Sequence, residues 1–100
     1  MPEIVRTRFF ADWLRGLRDD RAKARIALRL DRLALGHEGD SKPVGGGASE
    51  LRIDYGPGYR IYFTYRERTL VILLCGGDKA TQKRDIARAQ SLAAALKEKP

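Results

Sequence analysis

Near Ala48 the hydrophobic pattern of this chain changes period, and that change decides what it can fold into. Before it, Phe9, Phe10, Trp13, Leu14 and Leu17 recur at helical spacings, as do Ala22, Ile26, Leu30 and Leu33. After it, Leu51 and Ile53, then Tyr59, Ile61, Phe63 and Tyr65, alternate with polar side chains. A repeat of three to four residues lines one face of a helix, and a repeat of two lines one face of a strand. The pattern predicts an α+β fold in which an N-terminal strand and a helical hairpin pack on a four-stranded antiparallel sheet, followed by a C-terminal helix. One hundred residues, 1–100, suffice for a single domain.

The element boundaries carry their own signals. Glu3 to Arg8 is short and β-branched, as an opening edge strand would be. Asp19 and Asp20 are placed to cap a second helix that Gly36 stops. The stretch from Gly36 to Ala48 reads as a connector with a short Lys42-Pro43-Val44 strand; its three glycines lack the Gly-Lys-Ser/Thr and the strand-to-helix context of a phosphate loop. Strands follow at Ala48–Asp54, Tyr59–Arg66 and Thr69–Cys75, joined by turns at Tyr55-Gly-Pro-Gly58 and Glu67-Arg68. The last strand is apolar enough to be buried on both faces, and Gly76-Gly77 is expected to end it. Asp78 can cap a final helix with Ile86, Ala89, Ala93 and Leu96 as its apolar stripe, its terminal Lys-Glu-Lys-Pro fraying.

Charge narrows the function classes. Twenty Lys and Arg against thirteen Asp and Glu give +7, and fourteen of the twenty are arginine, whose planar fork suits phosphate and carboxylate. An anionic partner, nucleic acid or acidic protein, is expected. One cysteine, Cys75, and one histidine exclude an internal disulfide and a Cys/His zinc cluster. Leu70–Cys75 is far too short to span a bilayer, and the N-terminus carries Glu3, Arg6 and Arg8 in place of a signal-peptide core, so a cytoplasmic location is expected. His37 sits between Gly36 and Glu38 with nothing to orient it as a base.

Two groups of cations stand out. Arg21, Arg25, Arg29 and Arg32 share one arc of the second helix. They form either a solvated face or a surface for an acidic partner. Leu28 and Leu35 lie outside the main apolar arc, packed by the first helix or touching a partner. Arg52 and Arg60 flank the Tyr55-Gly-Pro-Gly turn, and Lys79 stands where the last strand meets the final helix. Together with Tyr55 or Tyr62 for base stacking, these three would suit RNA or its phosphates. Glu50 and Asp54 are expected to project outward from one strand face, a poor setting for a carboxylate pair.

The run from Glu50 to Phe63, Leu73-Leu-Cys-Gly-Gly-Asp-Lys-Ala-Thr-Gln82 and Asp85-Ile-Ala-Arg-Ala89 closely resemble toxins of bacterial type II toxin–antitoxin modules. The likeness is to the RelE/ParE superfamily, and within it to the small addiction-module killer proteins called HigB-like or phage-derived. It covers nearly the whole chain. The resemblance implies a ribosome-dependent mRNA endonuclease (mRNA interferase) that inhibits translation, with Arg60 contacting the phosphate and transition state, Arg52 and Lys79 as further basic residues of that site, and no metal or cofactor. The alternatives it carries are a ParE-like gyrase inhibitor and a catalytically degenerate module that only binds antitoxin. The last helix has no tyrosine where RelE-type toxins place one that stacks on the message; Gln82 or Asp85 occupies the region, and the general base is unassigned. The implied partners are a helix-turn-helix antitoxin, in a complex such as a heterotetramer, and the ribosome with its mRNA. The Arg21/Arg25/Arg29/Arg32 face is a candidate surface for the antitoxin.

Overall fold

Thr69 to Asp78 is the axis on which the rest of the chain is hung. In a computed structural model, which describes residues 2–97, strand β5 (Leu70–Asp78) is flanked by β4 (Tyr59–Arg66) on one side and by β1 (Glu3–Arg6) on the other. Beyond β4 lie β3 (Ala48–Ile53) and β2 (Ser41–Gly45), giving the order β1-β5-β4-β3-β2. The expected four antiparallel strands are therefore a five-stranded mixed sheet, because β1 joins it parallel to β5 with Glu3 beside Leu70 and Arg6 beside Leu73. An apolar strand buried on both faces needs a neighbour at each edge to satisfy its backbone, and β1 supplies the second one.

Helices α1 (Arg8–Gly16) and α2 (Asp20–Ala34) cover one face of the sheet, and α3 (Gln82–Lys97) covers the other. Under the hairpin, Phe10, Ile26, Leu30 and Leu33 meet Leu51, Ile53, Ile61, Phe63, Val71 and Leu73. Under α3, Ala89 and Ala93 meet Tyr62, Ile72, Leu74 and Cys75, with Ile86 and Leu96 packed at the border. The stripe expected on the last helix is thus the one that packs. The fraying expected at the end of the chain concerns residues 98–100, outside the described residues.

The predicted caps are in place. The Asp19 carboxylate accepts from the backbone N–H groups of Arg21 and Ala22, and Thr7 does the same for Phe10 at the start of α1. At the end of α2, Gly36 takes a left-handed φ of 89°, and the N–H groups of Gly36 and His37 close on the carbonyls of Leu33 and Arg32. Leu28 and Leu35 are not packed by α1: they are 50% and 56% exposed on the outside of α2.

One strand end departs from the sequence reading, and one expected turn takes an unusual backbone. Gly76-Gly77 does not end β5, which runs on to Asp78. At the β4–β5 turn, Glu67 and Arg68 hold φ of 55° and 61°, a conformation that favours glycine and asparagine. Replacing Glu67-Arg68 by Asn-Gly is expected to stabilise the fold by about 1–2 kcal/mol, the penalty of the left-handed backbone. A rise in the urea midpoint at constant slope would register it.

Candidate functional site

Strand register does most of the assembly. Arg52 on β3 lies directly across from Arg60 on β4, and Arg60 directly across from Gly77 on β5. Both arginines therefore project from the face that α3 covers, at the end of the sheet where α3 begins. A short 3₁₀ turn, Lys79–Thr81, leads into that helix; the Asp78 carboxylate caps it by accepting from the N–H groups of Ala80 (2.8 Å) and Thr81 (3.3 Å). Arg52, Arg60 and Lys79 line one cleft of about 340 Å³, with Gly56-Pro57-Gly58 along one wall and Asp40 and Asp54 at its border. Gly58 has φ of 79°, and a Cβ built there would stand 3.4 Å from the Lys79 side chain and 3.5 Å from Nη1 of Arg60.

The three cations are held differently. Arg52 donates from Nε (3.1 Å) and Nη2 (2.9 Å) to one carboxylate oxygen of Asp40, at the surface, where such a pair contributes only about 0–1 kcal/mol. An arriving phosphate can displace it cheaply. Lys79 is exposed. Arg60 is sunk into the cleft floor with its side chain 12% exposed; Nη1 donates to the carbonyls of Gly58 and Tyr59, both at 3.3 Å.

Behind Arg60 stands a residue that the alternation assigned to the wrong environment. Glu50, expected to point outward, is fully buried, because the face it shares with Arg52 is roofed by α3 near Gln82. One of its oxygens accepts from Gln82 Nε2 (2.7 Å) and from the Tyr62 hydroxyl (3.3 Å). The other faces Nε of Arg60 at 3.9 Å, and neither of these two buried atoms has a hydrogen-bond partner. Burial first, and then the Glu50 charge, push the Tyr62 phenol well above its ordinary range, so it remains a proton-bearing donor. The signal available in the sequence was Tyr62 sitting directly across from Glu50, a phenol and a carboxylate on the same face.

The network overturns the stacking role expected of Tyr62. Tyr62 is fully buried and cannot stack on a base. Gln82 is engaged with Glu50. Tyr55 is half-buried, packed against the core beneath α2 with the Arg25 guanidinium 4.6 Å over its ring.

The arginine arc of α2 also divides. Arg29 turns inward and donates to the carbonyl oxygens of Arg52, Glu38 (3.1 Å) and Asp40 (3.3 Å), bracing the α2–β2 connection against β3. It is an internal tie. Arg21, Arg25 and Arg32 remain exposed, beside the uncovered Leu28 and Leu35. His37 is an exposed loop residue. Cys75 is buried under α3 and its thiol is pushed up to about 11 by that burial, so it is no nucleophile.

No helix of the described residues is long and apolar enough to cross a membrane. Residues 12–97 match the family described as "Phage derived protein Gp49-like (DUF891)". A protein of Haemophilus influenzae, itself described as an uncharacterized protein, is 51% identical over 94 residues, which cover 94% of this chain and 95% of the relative.

Proposed function

The chain belongs to the phage-derived Gp49-like family, a toxin type of toxin–antitoxin modules, and from that premise we propose that it is an endoribonuclease toxin that cuts mRNA at the ribosome. Such a family implies an antitoxin partner. The observation that carries the reading is the convergence of Arg52, Arg60 and Lys79 on one cleft.

In the proposed reaction the 2′-hydroxyl of one nucleotide attacks the adjacent phosphorus. The 2′-proton leaves to a base, the P–O5′ bond breaks, and O5′ takes up a proton. The products are a 2′,3′-cyclic phosphate and a 5′-hydroxyl. Between them lies a phosphorane carrying more negative charge than the substrate, so cations that tighten on it lower the barrier. Arg60 is the residue best placed for this, because its guanidinium is held from a buried stem on the floor of the cleft. Arg52 and Lys79 would hold the flanking phosphates. Among the exposed surfaces, Arg21, Arg25 and Arg32 of α2 are proposed to meet the antitoxin, with Leu28 and Leu35 beside them.

Primer extension on messages in translating extracts tests the reading. New 5′ ends at the decoding position are expected. An intact message together with arrested replication in cells would replace it with a gyrase-binding toxin.

A further inference from the structure

A second and larger cleft, of about 490 Å³, opens on the other side of Asp78 from the Arg60 cleft. Its shape follows from the topology. Pairing of β1 with β5 stops at Leu73; Thr7 then takes the carbonyls of Leu73 and Leu74, and the chain turns away into α1. From Cys75 to Asp78 no strand lies on that side of β5, and the strand edge becomes a floor between α1 and α3. The α1 wall is aromatic: Trp13 lies flat on Gly76, and Phe9 is 38% exposed. The α3 wall carries Arg84 and Arg88, the latter 4.7 Å over the Phe9 ring.

The lining decides the ligand class. Asp12, Asp78 and Asp85 all border the cleft, so a phosphate would be repelled from its interior, whereas a group with N–H donors and a flat π face would not. Guanidinium groups at the rim suit a phosphate left outside. A nucleotide satisfies both demands, with its base against Phe9 and Trp13, taking the place of the Arg88 guanidinium over the Phe9 ring, and its phosphate at Arg84 and Arg88. Asp78 borders this cleft and Lys79 borders the Arg60 cleft, so one chain neighbour separates them and a single RNA strand can cross from one to the other.

Resting on the endonuclease reading, we propose that the Phe9/Trp13 cleft seats the base of the nucleotide next to the one cut at Arg60, and so contributes to which messages are cleaved. Trp13 is the only tryptophan in the chain, which makes its emission a direct reporter of this cleft. The experiment titrates the full chain with fluorescein-labelled 2′-O-methyl tetranucleotides, which bind without being cut, and follows anisotropy and Trp13 emission together. Emission is expected to change along the same saturation curve as anisotropy. Phe9→Ala is expected to weaken binding about tenfold or more, the contribution of one base–aromatic stack, with an unchanged melting temperature. Unchanged emission at anisotropy saturation, unchanged affinity in Phe9→Ala, or no binding of any tetranucleotide would overturn the assignment. Message cleavage in the extract with no response at Trp13 would remove this subsite and leave the endonuclease reading standing. A Trp13 response without cleavage would remove the endonuclease reading and with it the assignment to the nucleotide beside a cut, while keeping the cleft as a base-binding site.

Discussion

Replacing Arg60 by alanine is expected to lower message cleavage about 10²–10³-fold and to release growing cells from arrest. The expectation rests on position as much as on charge. Arg52 is already paired with Asp40 at the surface and Lys79 is exposed, but Arg60 is buried to its guanidinium and backed by Glu50 at 3.9 Å. A donor fixed before substrate arrives pays no reorganisation when the phosphorane forms. Arg60→Lys should recover little, because a point charge on a flexible stem cannot keep the two carbonyl contacts to Gly58 and Tyr59 while presenting a planar fork. Alanine at this position also leaves the Glu50 carboxylate buried without its cation, which destabilises a protein by about 3–5 kcal/mol. The paired variant Arg60→Ala with Glu50→Gln separates the two effects. It should melt close to the wild type and still fail to cut. Cleavage by that double variant at the wild-type rate would remove Arg60 from the chemistry.

The contrast between Arg60 and Glu50 shows how far the sequence could be read. Alternation says which residues share a strand face, and it placed Arg52 with Arg60 and Leu51 with Ile53 correctly. It does not say which face a distant helix will roof. The helix that buries Glu50 begins more than thirty residues later, at Gln82. Helix caps and turn glycines were legible because their causes are local, as with Asp19, Gly36 and Asp78. Arg29 was not, since its tie to three carbonyls depends on where the α2–β2 connection crosses β3. The parallel partnership of β1 with β5 was hidden for the same reason: more than sixty residues separate the strands, and the partner face is set by the hairpin between them.

The glycine pair of β5 carries the second large expectation: Gly76→Ala should destabilise the fold by about 2–3 kcal/mol, a fall in Tm of about 10–20 °C for a domain of this size. Neither glycine has a positive φ, so the requirement is space. The register of β5 turns successive residues to opposite faces, and each face has a neighbour against the bare backbone. A Cβ on Gly76 would lie 2.2 Å from the ring of Trp13, which is flanked by Phe10 and Tyr59 and would have to shift out toward the cleft to make room. A Cβ on Gly77 would lie 1.9 Å from the buried Asp85 carboxylate and 3.0 Å from the Thr81 hydroxyl that donates to it, at the first turns of α3. Gly77→Ala therefore pushes the start of α3 off the sheet and takes Lys79 and Gln82 with it, so cleavage should fall further than stability does. The steric account makes one demand that a general strand weakness would not. Gly76→Ala should cost much less in a Trp13→Ala background than in the wild type, because the clash partner is gone, and a double-mutant cycle on chemical denaturation measures that coupling directly. Equal costs in the two backgrounds would show that the contact with Trp13 is not what requires glycine there.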